Sequence, residues 1–272
     1  MDRRDFLKQT ITIIAGAAIP TAALEFINPR KLIAAVKGSD VKWVFLADTQ
    51  KCVGCGFCVK ACKLENEIPY DAPVTRTWVE RYVICKDGKM RLDRHMANPG
   101  FTINADSPKG ARDGFTSPKV DLGEGHSVEI KPEEISKAFF VPKLCNQCDN
   151  PPCVQVCPVG ATYKTGDGVV LVDRSWCIGC GYCVMGCPYG VRFFHPVYKT
   201  AEKCNFCYHR ITKGMKTACV QACPFGARQI GNLKDPNDPV TAVIMNGRVG
   251  VLKSEYGTKP QVYYLALDRE VR

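Results

Sequence analysis

The sequence predicts an α+β fold: two small pseudo-symmetric units with a long insertion and a C-terminal strand extension. Three observations predict it. The 272-residue chain holds 17 cysteines, and 16 of them fall into four short-spaced groups of four. The stretch Phe45–Cys62 (FLADTQKCVGCGFCVKAC) returns as Val170–Cys187 (VLVDRSWCIGCGYCVMGC), with 9 of 18 positions identical at an offset of 125 residues. Short apolar runs turn at glycine, as in Thr162–Val172 at Gly166-Asp167-Gly168, and read as hairpins. The length suffices for one large or two ordinary domains. With 46% apolar and 24% charged residues, disorder is excluded as the main state.

Residues 1–35 form a targeting segment. Asp2-Arg3-Arg4-Asp5-Phe6-Leu7-Lys8 places a twin arginine before Phe-Leu-Lys, and the apolar run Thr10–Leu24, interrupted by Pro20, follows. That pattern matches the twin-arginine export signal. The expected location is the periplasm or the outer face of the cytoplasmic membrane, with the chain peripheral to it. Gln9–Ile27 is just long enough to span, so an uncleaved anchor is the alternative, weakened by Glu25 and Pro20. Ala35 and Ala23 are the tolerable cleavage points.

The first cysteine group is Cys52, Cys55, Cys58 and Cys62 (C-x2-C-x2-C-x3-C). The second is Cys145, Cys148, Cys153 and Cys157, followed by Pro158. The third is Cys177, Cys180, Cys183 and Cys187, with the spacing of the first and a trailing Pro188. The fourth is Cys204, Cys207, Cys219 and Cys223, followed by Pro224. Groups one and three have the spacing of bacterial ferredoxin runs, in which three cysteines wrap one corner of a cubane and the fourth reaches the neighbouring cluster. Small residues such as Gly54, Gly56, Gly179 and Gly181 let backbone N–H groups approach the sulfurs. Groups two and four also match each other, KLCNQC with EKCNFC and CVQVCPVGA with CVQACPFGA. Four [4Fe–4S] clusters are therefore expected. Zinc sites with four thiolate ligands are a rival, but zinc does not explain the third cysteine at +6 or the Cys-Pro steps. A disulfide framework is a further rival.

The formal charge of +10 overstates the basic character. Four clusters with thiolate ligands, each about −2, would bring the loaded protein to about +2. The basic sequence is thus no argument for nucleic-acid binding, and none is expected.

From Val44 to about Asp268 the chain resembles the four-cluster iron–sulfur subunits of the dimethyl sulfoxide reductase superfamily. These include the electron-transfer subunits of tetrathionate, polysulfide and nitrate reductases and of formate dehydrogenases. They also include the exported iron–sulfur subunit of the sulfite-reduction-associated transmembrane complex. The stretches CNQCDNPPCVQVCPVGAT, DRSWCIGCGYCVMGCPYGVRF, AEKCNFCYHR and VLKSEYGTKPQVYYL carry the resemblance. It implies crossed ligation. Cys52, Cys55, Cys58 and Cys223 would hold one cluster, and Cys204, Cys207, Cys219 and Cys62 its neighbour. Cys145, Cys148, Cys153 and Cys187 would hold the third, and Cys177, Cys180, Cys183 and Cys157 the fourth. Residues 40–85 and 200–272 then form one ferredoxin-like unit, residues 139–199 form the other, and 86–138 is the insertion. The resemblance further implies a non-catalytic relay of single electrons within a respiratory complex for a sulfur compound. One partner would be a membrane quinone-reactive integral protein, and the other a molybdopterin catalytic subunit or a multihaem cytochrome c. A free-standing periplasmic polyferredoxin carrier is the alternative, and a zinc-stabilised interaction module a more remote one.

The remaining features are weaker. The insertion, rich in Lys, Asp, Gly, Pro and Ser, reads as a solvated excursion or as a docking arm. Cys85 ends the strand-like run Trp78–Cys85 and is expected as a buried free thiol. His95, His126, His195 and His209 share no ligand spacing. Trp176 is expected to shield a cluster, and Lys203 and Arg210 flank group four, where their charges would raise its potential. No dinucleotide fingerprint, Walker loop, nucleophile triad or small-molecule substrate site is present.

Overall fold

The structure, a computed structural model, describes residues 40–94, 119–123 and 126–271. The expected export segment and His95 lie outside the described residues. In chain order the elements begin with β1 (Trp43–Asp48), α1 (Phe57–Glu65), β2 (Thr77–Cys85), β3 (Met90–Arg94), β4 (Lys119–Gly123), β5 (His126–Glu129) and β6 (Ile135–Leu144). They continue with α2 (Pro152–Gln155), β7 (Thr162–Lys164), β8 (Val170–Val172), α3 (Tyr182–Met185), β9 (Phe193–Phe194) and β10 (Ala201–Glu202). The last are α4 (Tyr208–Ile211), α5 (Ala218–Gln221), β11 (Arg228–Asn232), α6 (Pro239–Asn246), β12 (Val249–Gly250) and β13 (Val262–Leu265). Short helices mixed with mostly antiparallel strands agree with the α+β expectation.

β1 reads WVFLAD, an unbroken apolar run, and such a run suits a strand covered on both faces. It lies inside a four-stranded sheet of order β11-β1-β13-β12. β11 joins it antiparallel, from Trp43↔Asn232 to Ala47↔Arg228, and β13 joins it parallel, from Phe45↔Val262 to Asp48↔Leu265. Alternation sends Val44 and Leu46 against Val240 of α6, and Phe45 and Ala47 into the main core among the cysteines. Residues near 45 and near 230–265 are therefore one layer of structure.

β2 is the middle strand of a second sheet, β3-β2-β6, paired with β6 from Thr77↔Leu144 to Cys85↔Ile135. Its sequence carries Glu80 and Arg81 inside an otherwise apolar strand. Glu80 is buried and fully engaged: Trp78 Nε1 donates to it at 3.0 Å, Tyr82 Oη donates at 2.8 Å, and Lys143 Nζ sits 3.4 Å away. The segment between groups one and two supplies all three strands of this sheet and the β4–β5 hairpin. Cys85 stands half-buried at the strand end. The Thr162–Val172 hairpin forms as expected, with Thr162↔Val172 in register and Gly168 at φ 90 in the turn. Among the described residues no helix is long and apolar enough to cross a membrane.

The cysteine loops need left-handed backbone. Gly54 and Gly56 have φ 69 and 72, and their repeat counterparts Gly179 and Gly181 have φ 72 and 80. At Gly54 an added Cβ would lie 2.5 Å from the buried Phe140 ring of β6. Gly88, in the β2–β3 turn, also has φ +80 but nothing within 4 Å of an added Cβ. Gly54→Ala should therefore cost about 1–3 kcal/mol, and Gly88→Ala only the backbone part, about 1 kcal/mol. Thermal unfolding of the two loaded variants checks this; equal losses would show that Phe140 does not close down on the first loop.

Candidate functional site

The sixteen grouped cysteines are unbridged, which removes the disulfide framework. In group one, Gly56 caps α1, so Cys58 lies in the first turn and Cys62 one turn further on. Helix α1 packs against α5, which carries Cys219, and α2 packs against α3. These helix pairs bring distant cysteines together.

Cys62 meets Cys204, Cys207 and Cys219 around one cavity, which Phe45, Asn66 and Arg76 help to line. Cys187 meets Cys145, Cys148 and Cys153 around a second, with Val170, Val191 and Arg192. Cys223 is an electrostatic neighbour of Cys55 and of Cys58. In the remaining group Cys183 is buried, Cys157 and Cys177 are half-buried and Cys180 is exposed.

Hydrogen-bond donors are aimed at the sulfurs. Asn66 Nδ2 donates to Cys62 Sγ at 3.4 Å, and the Phe206 amide donates to Cys204 Sγ at 3.4 Å. The amides of Thr162 and Ala201 donate to Cys157 and Cys177 Sγ, each at 3.4 Å. Such donors stabilise negative charge on sulfur. Burial works the other way. It pushes the Cys52 and Cys148 thiols up to about 12, and Cys58 and Cys207 to about 11. Cys62 is also held well above its ordinary value, by burial first and then by Cys204 and Cys219. Thiols packed this closely hold their protons unless a cationic core replaces them.

The donor set fits an iron–sulfur core. Among the described residues no three of His, Cys, Asp or Glu converge on a point where one metal ion would sit. A lone zinc needs its sulfurs about 2.3 Å away, so thiols spread around a cavity suit a cluster instead.

A second layer surrounds the sulfurs. Arg76, buried, donates to Asn66 Oδ1 at 2.5 Å and to Asn205 Oδ1 at 2.9 Å, and pairs with Glu202 at 2.8 Å. It thereby fixes one neighbour of Cys62 and the residue between Cys204 and Cys207. Burial pushes the Glu202 carboxyl up, but Arg76, the Lys203 amide and Arg174 outweigh it and hold it below the usual carboxylate range. Lys203 is buried, with Nζ on the carbonyls of Cys204 and Val170. Arg210 is answered by Glu65 at 2.8 Å, so its charge is largely cancelled. His195 is buried, its Nδ1 accepting the Val197 and Tyr198 amides at 3.2 and 3.3 Å, and His209 pairs with Glu65 at 2.6 Å. Sequence reasoning passed over Arg76, Arg192 and Arg228. The signal for the last two was present: both follow a Cys-Pro-x-Gly-x step, at Cys187–Arg192 and Cys223–Arg228.

The 4Fe-4S dicluster domain family matches this chain twice, over residues 51–161 and residues 136–233. The B subunit of tetrathionate reductase from Salmonella typhimurium is 35% identical over 270 residues, covering 98% of this chain and 88% of that protein. The protein of the same name from Archaeoglobus fulgidus is 38% identical, covering 83% of each chain. The B subunit of selenate reductase from Mesobacillus selenatarsenatis is 33% identical, covering 84% of this chain and 73% of that protein. With sixteen cysteines arranged around its core and two dicluster domains in its sequence, the chain carries four [4Fe–4S] clusters and belongs to the family of iron–sulfur subunits that includes the B subunits of tetrathionate reductase.

Proposed function

We propose that this chain is an exported, non-catalytic electron-transfer subunit of a respiratory oxidoreductase acting on a sulfur compound. The observation that carries the reading is the convergence of Cys62 on Cys204, Cys207 and Cys219, across more than half of the sequence. It supports the crossed ligand scheme. One cluster is held by Cys52, Cys55, Cys58 and Cys223, and its neighbour by Cys62, Cys204, Cys207 and Cys219. Another is held by Cys145, Cys148, Cys153 and Cys187, and the last by Cys157, Cys177, Cys180 and Cys183. The scheme divides the chain into one unit of residues 40–85 and 200–272 and another of residues 139–199, related by pseudo-symmetry. Pairing of β1 with β11 and β13, and the matched φ values of the two repeats, support that division.

The clusters supply one-electron oxidation and reduction. The chain's residues do the rest. Loops fix the spacing of the sulfurs, amides and Asn66 hydrogen-bond them, and the core around Phe45, Phe206 and Val191 excludes water.

Docking is supported at the third group. There Ile178, Tyr182 and Met185 expose 65%, 54% and 73% of their surface beside the exposed Cys180. Exposed apolar side chains at a sulfur site suit a fixed partner better than a diffusing carrier. We assign one end of the relay to a membrane quinone-reactive integral protein and the other to a molybdopterin catalytic subunit or a multihaem cytochrome c. The reductase names of the relatives support this assignment. Co-purification of a membrane protein checks it, and recovery of the chain alone from gently solubilised membranes favours the free carrier.

Three outcomes follow. Fully loaded protein should give about 16 Fe per chain, and about 12 or fewer would contradict four cubanes. Cys62→Ala should disturb the spectroscopic signal of the cluster held by Cys207 and spare that of Cys55. The crossed scheme fails if Cys62→Ala and Cys55→Ala remove the same signal. The double substitution Arg3→Lys, Arg4→Lys should hold the protein in the cytoplasm with its iron inserted; normal export of that variant, followed by cell fractionation, would rule out a twin-arginine signal.

Cluster loading must displace the protons of thiols held as high as about 12 at Cys52 and Cys148. The sign is fixed: a thiol whose folded value is raised stays protonated until the pH rises through it, so loading weakens as the pH falls. Reconstitution of the cluster-free chain should be markedly poorer at about pH 7 than at about pH 9, with protons released as iron enters. Equal loading at both values would show that the thiols are already ionised.

A further inference from the structure

Two buried arginines are answered by no carboxylate among the described residues. Arg192 and Arg228 are 5% and 2% exposed. Arg192 Nε and Nη2, and Arg228 Nη1, have no hydrogen-bond partner. Their hydrogen bonds to oxygen are long: Arg192 Nη1 to Thr162 Oγ1 at 3.4 Å, and Arg228 Nη2 to the Trp78 carbonyl at 3.4 Å. An unpaired buried cation is costly, and two other buried cations of this chain are met by carboxylates. Buried Arg76 has Glu202 at 2.8 Å, and buried Lys143 has Glu80 at 3.4 Å.

What faces the two arginines is sulfur. Arg192 lines the cavity of Cys145, Cys148, Cys153 and Cys187, and Cys183 of the next set is also its neighbour. Arg228 has Cys58, Cys219 and Cys52 as its electrostatic neighbours. Each guanidinium therefore spans two ligand sets. A guanidinium is not deprotonated in a protein, so both stay charged. The two positions are equivalent in sequence, each five residues beyond a Cys-Pro cysteine, at Cys187 and Cys223. Groups one and two have Glu67 and Thr162 at that place, so the chain supplies one such cation per pair of sets.

We infer that Arg192 and Arg228 are redox-positioning residues, each a built-in counterion shared by two neighbouring clusters, so that each sets the potentials of one pair together. This rests on the crossed ligand scheme. The physics is Coulombic. Reduction adds one electron, and hence one negative charge, to a cluster and its thiolates. A fixed cation lowers the energy of that state more than of the oxidised one, and strongly so where water is absent. No proton transfer is needed. Because both arginines are buried, added salt screens them little.

The test is a redox titration of the purified, fully loaded chain, with dithionite as electron donor, following the four reduced-cluster signals by electron paramagnetic resonance. Cysteine variants assign the signals. Arg228→Gln should lower the potentials of the clusters held by Cys55 and by Cys207, shifting their oxidised-to-reduced ratio at fixed potential at least tenfold, about 59 mV for a one-electron couple. The other two should stay put. Arg192→Gln should do the converse, and the Lys variants should restore most of each shift. Unchanged potentials, equal shifts in all four signals, or Lys variants that behave as Gln overturn the inference. Where a Gln variant sheds iron, Thr162→Asp decides. It sets a carboxylate against Arg192 without removing the arginine, and should lower the same two potentials as Arg192→Gln; no shift there overturns the inference. Failure of the Cys62→Ala test removes the ligand scheme itself, whereas unmoved potentials with that scheme intact remove only the role of the arginines.

Discussion

The structure depends on one constraint: a tight loop presents three sulfurs to one cluster, and the fourth must come from elsewhere. In group one, two-residue spacers leave no slack, and the helix that follows carries Cys62 away from Cys52, Cys55 and Cys58. Cys62 lines one cavity with Cys204, Cys207 and Cys219. Packing of α1 on α5 does this, and pairing of β1 with β11 holds the two segments in register. Two segments far apart in sequence thus line one cavity with their cysteines.

Crowding so much sulfur creates an electrostatic problem, and the chain meets it in two ways. Some buried cations are paired with carboxylates. Arg76 and Arg174 share Glu202, and Lys143 meets Glu80. These pairs hold the second layer in place and offset part of its positive charge. Arg192 and Arg228 are different, since their guanidinium groups look onto the thiols themselves. The formal +10 of the sequence is therefore not one quantity. It counts solvated surface cations together with a small buried part that has sulfur for its neighbours.

The second sheet serves the same site from outside. β2 and β6 lay Phe140 over Gly54 and place Trp78, Tyr82 and Leu144 in the core that surrounds the cysteines. The long stretch between groups one and two, solvated by composition, contributes strands to this sheet. Its composition pointed to loop because β3, MRLDR, is mostly charged, as an edge strand tolerates.

The sequence by itself determined the local chemistry. Cysteine spacing, the 125-residue repeat and the small residues of the loops pointed to the kind of core the chain holds, because a cubane dictates short, regular spacings. The Thr162–Val172 hairpin and the strand ending at Cys85 were legible for the same reason: their signals are carried by neighbouring residues. Tertiary structure alone decided which distant groups meet, and which charges matter. Lys203 and Arg210 flank group four in sequence, yet Arg210 is cancelled by Glu65, while Arg228 faces the sulfurs of Cys58 and Cys219. Sequence distance says nothing about which carboxylate, if any, answers a buried cation. That depends on packing between segments far apart in the chain, and packing is fixed only when the core closes.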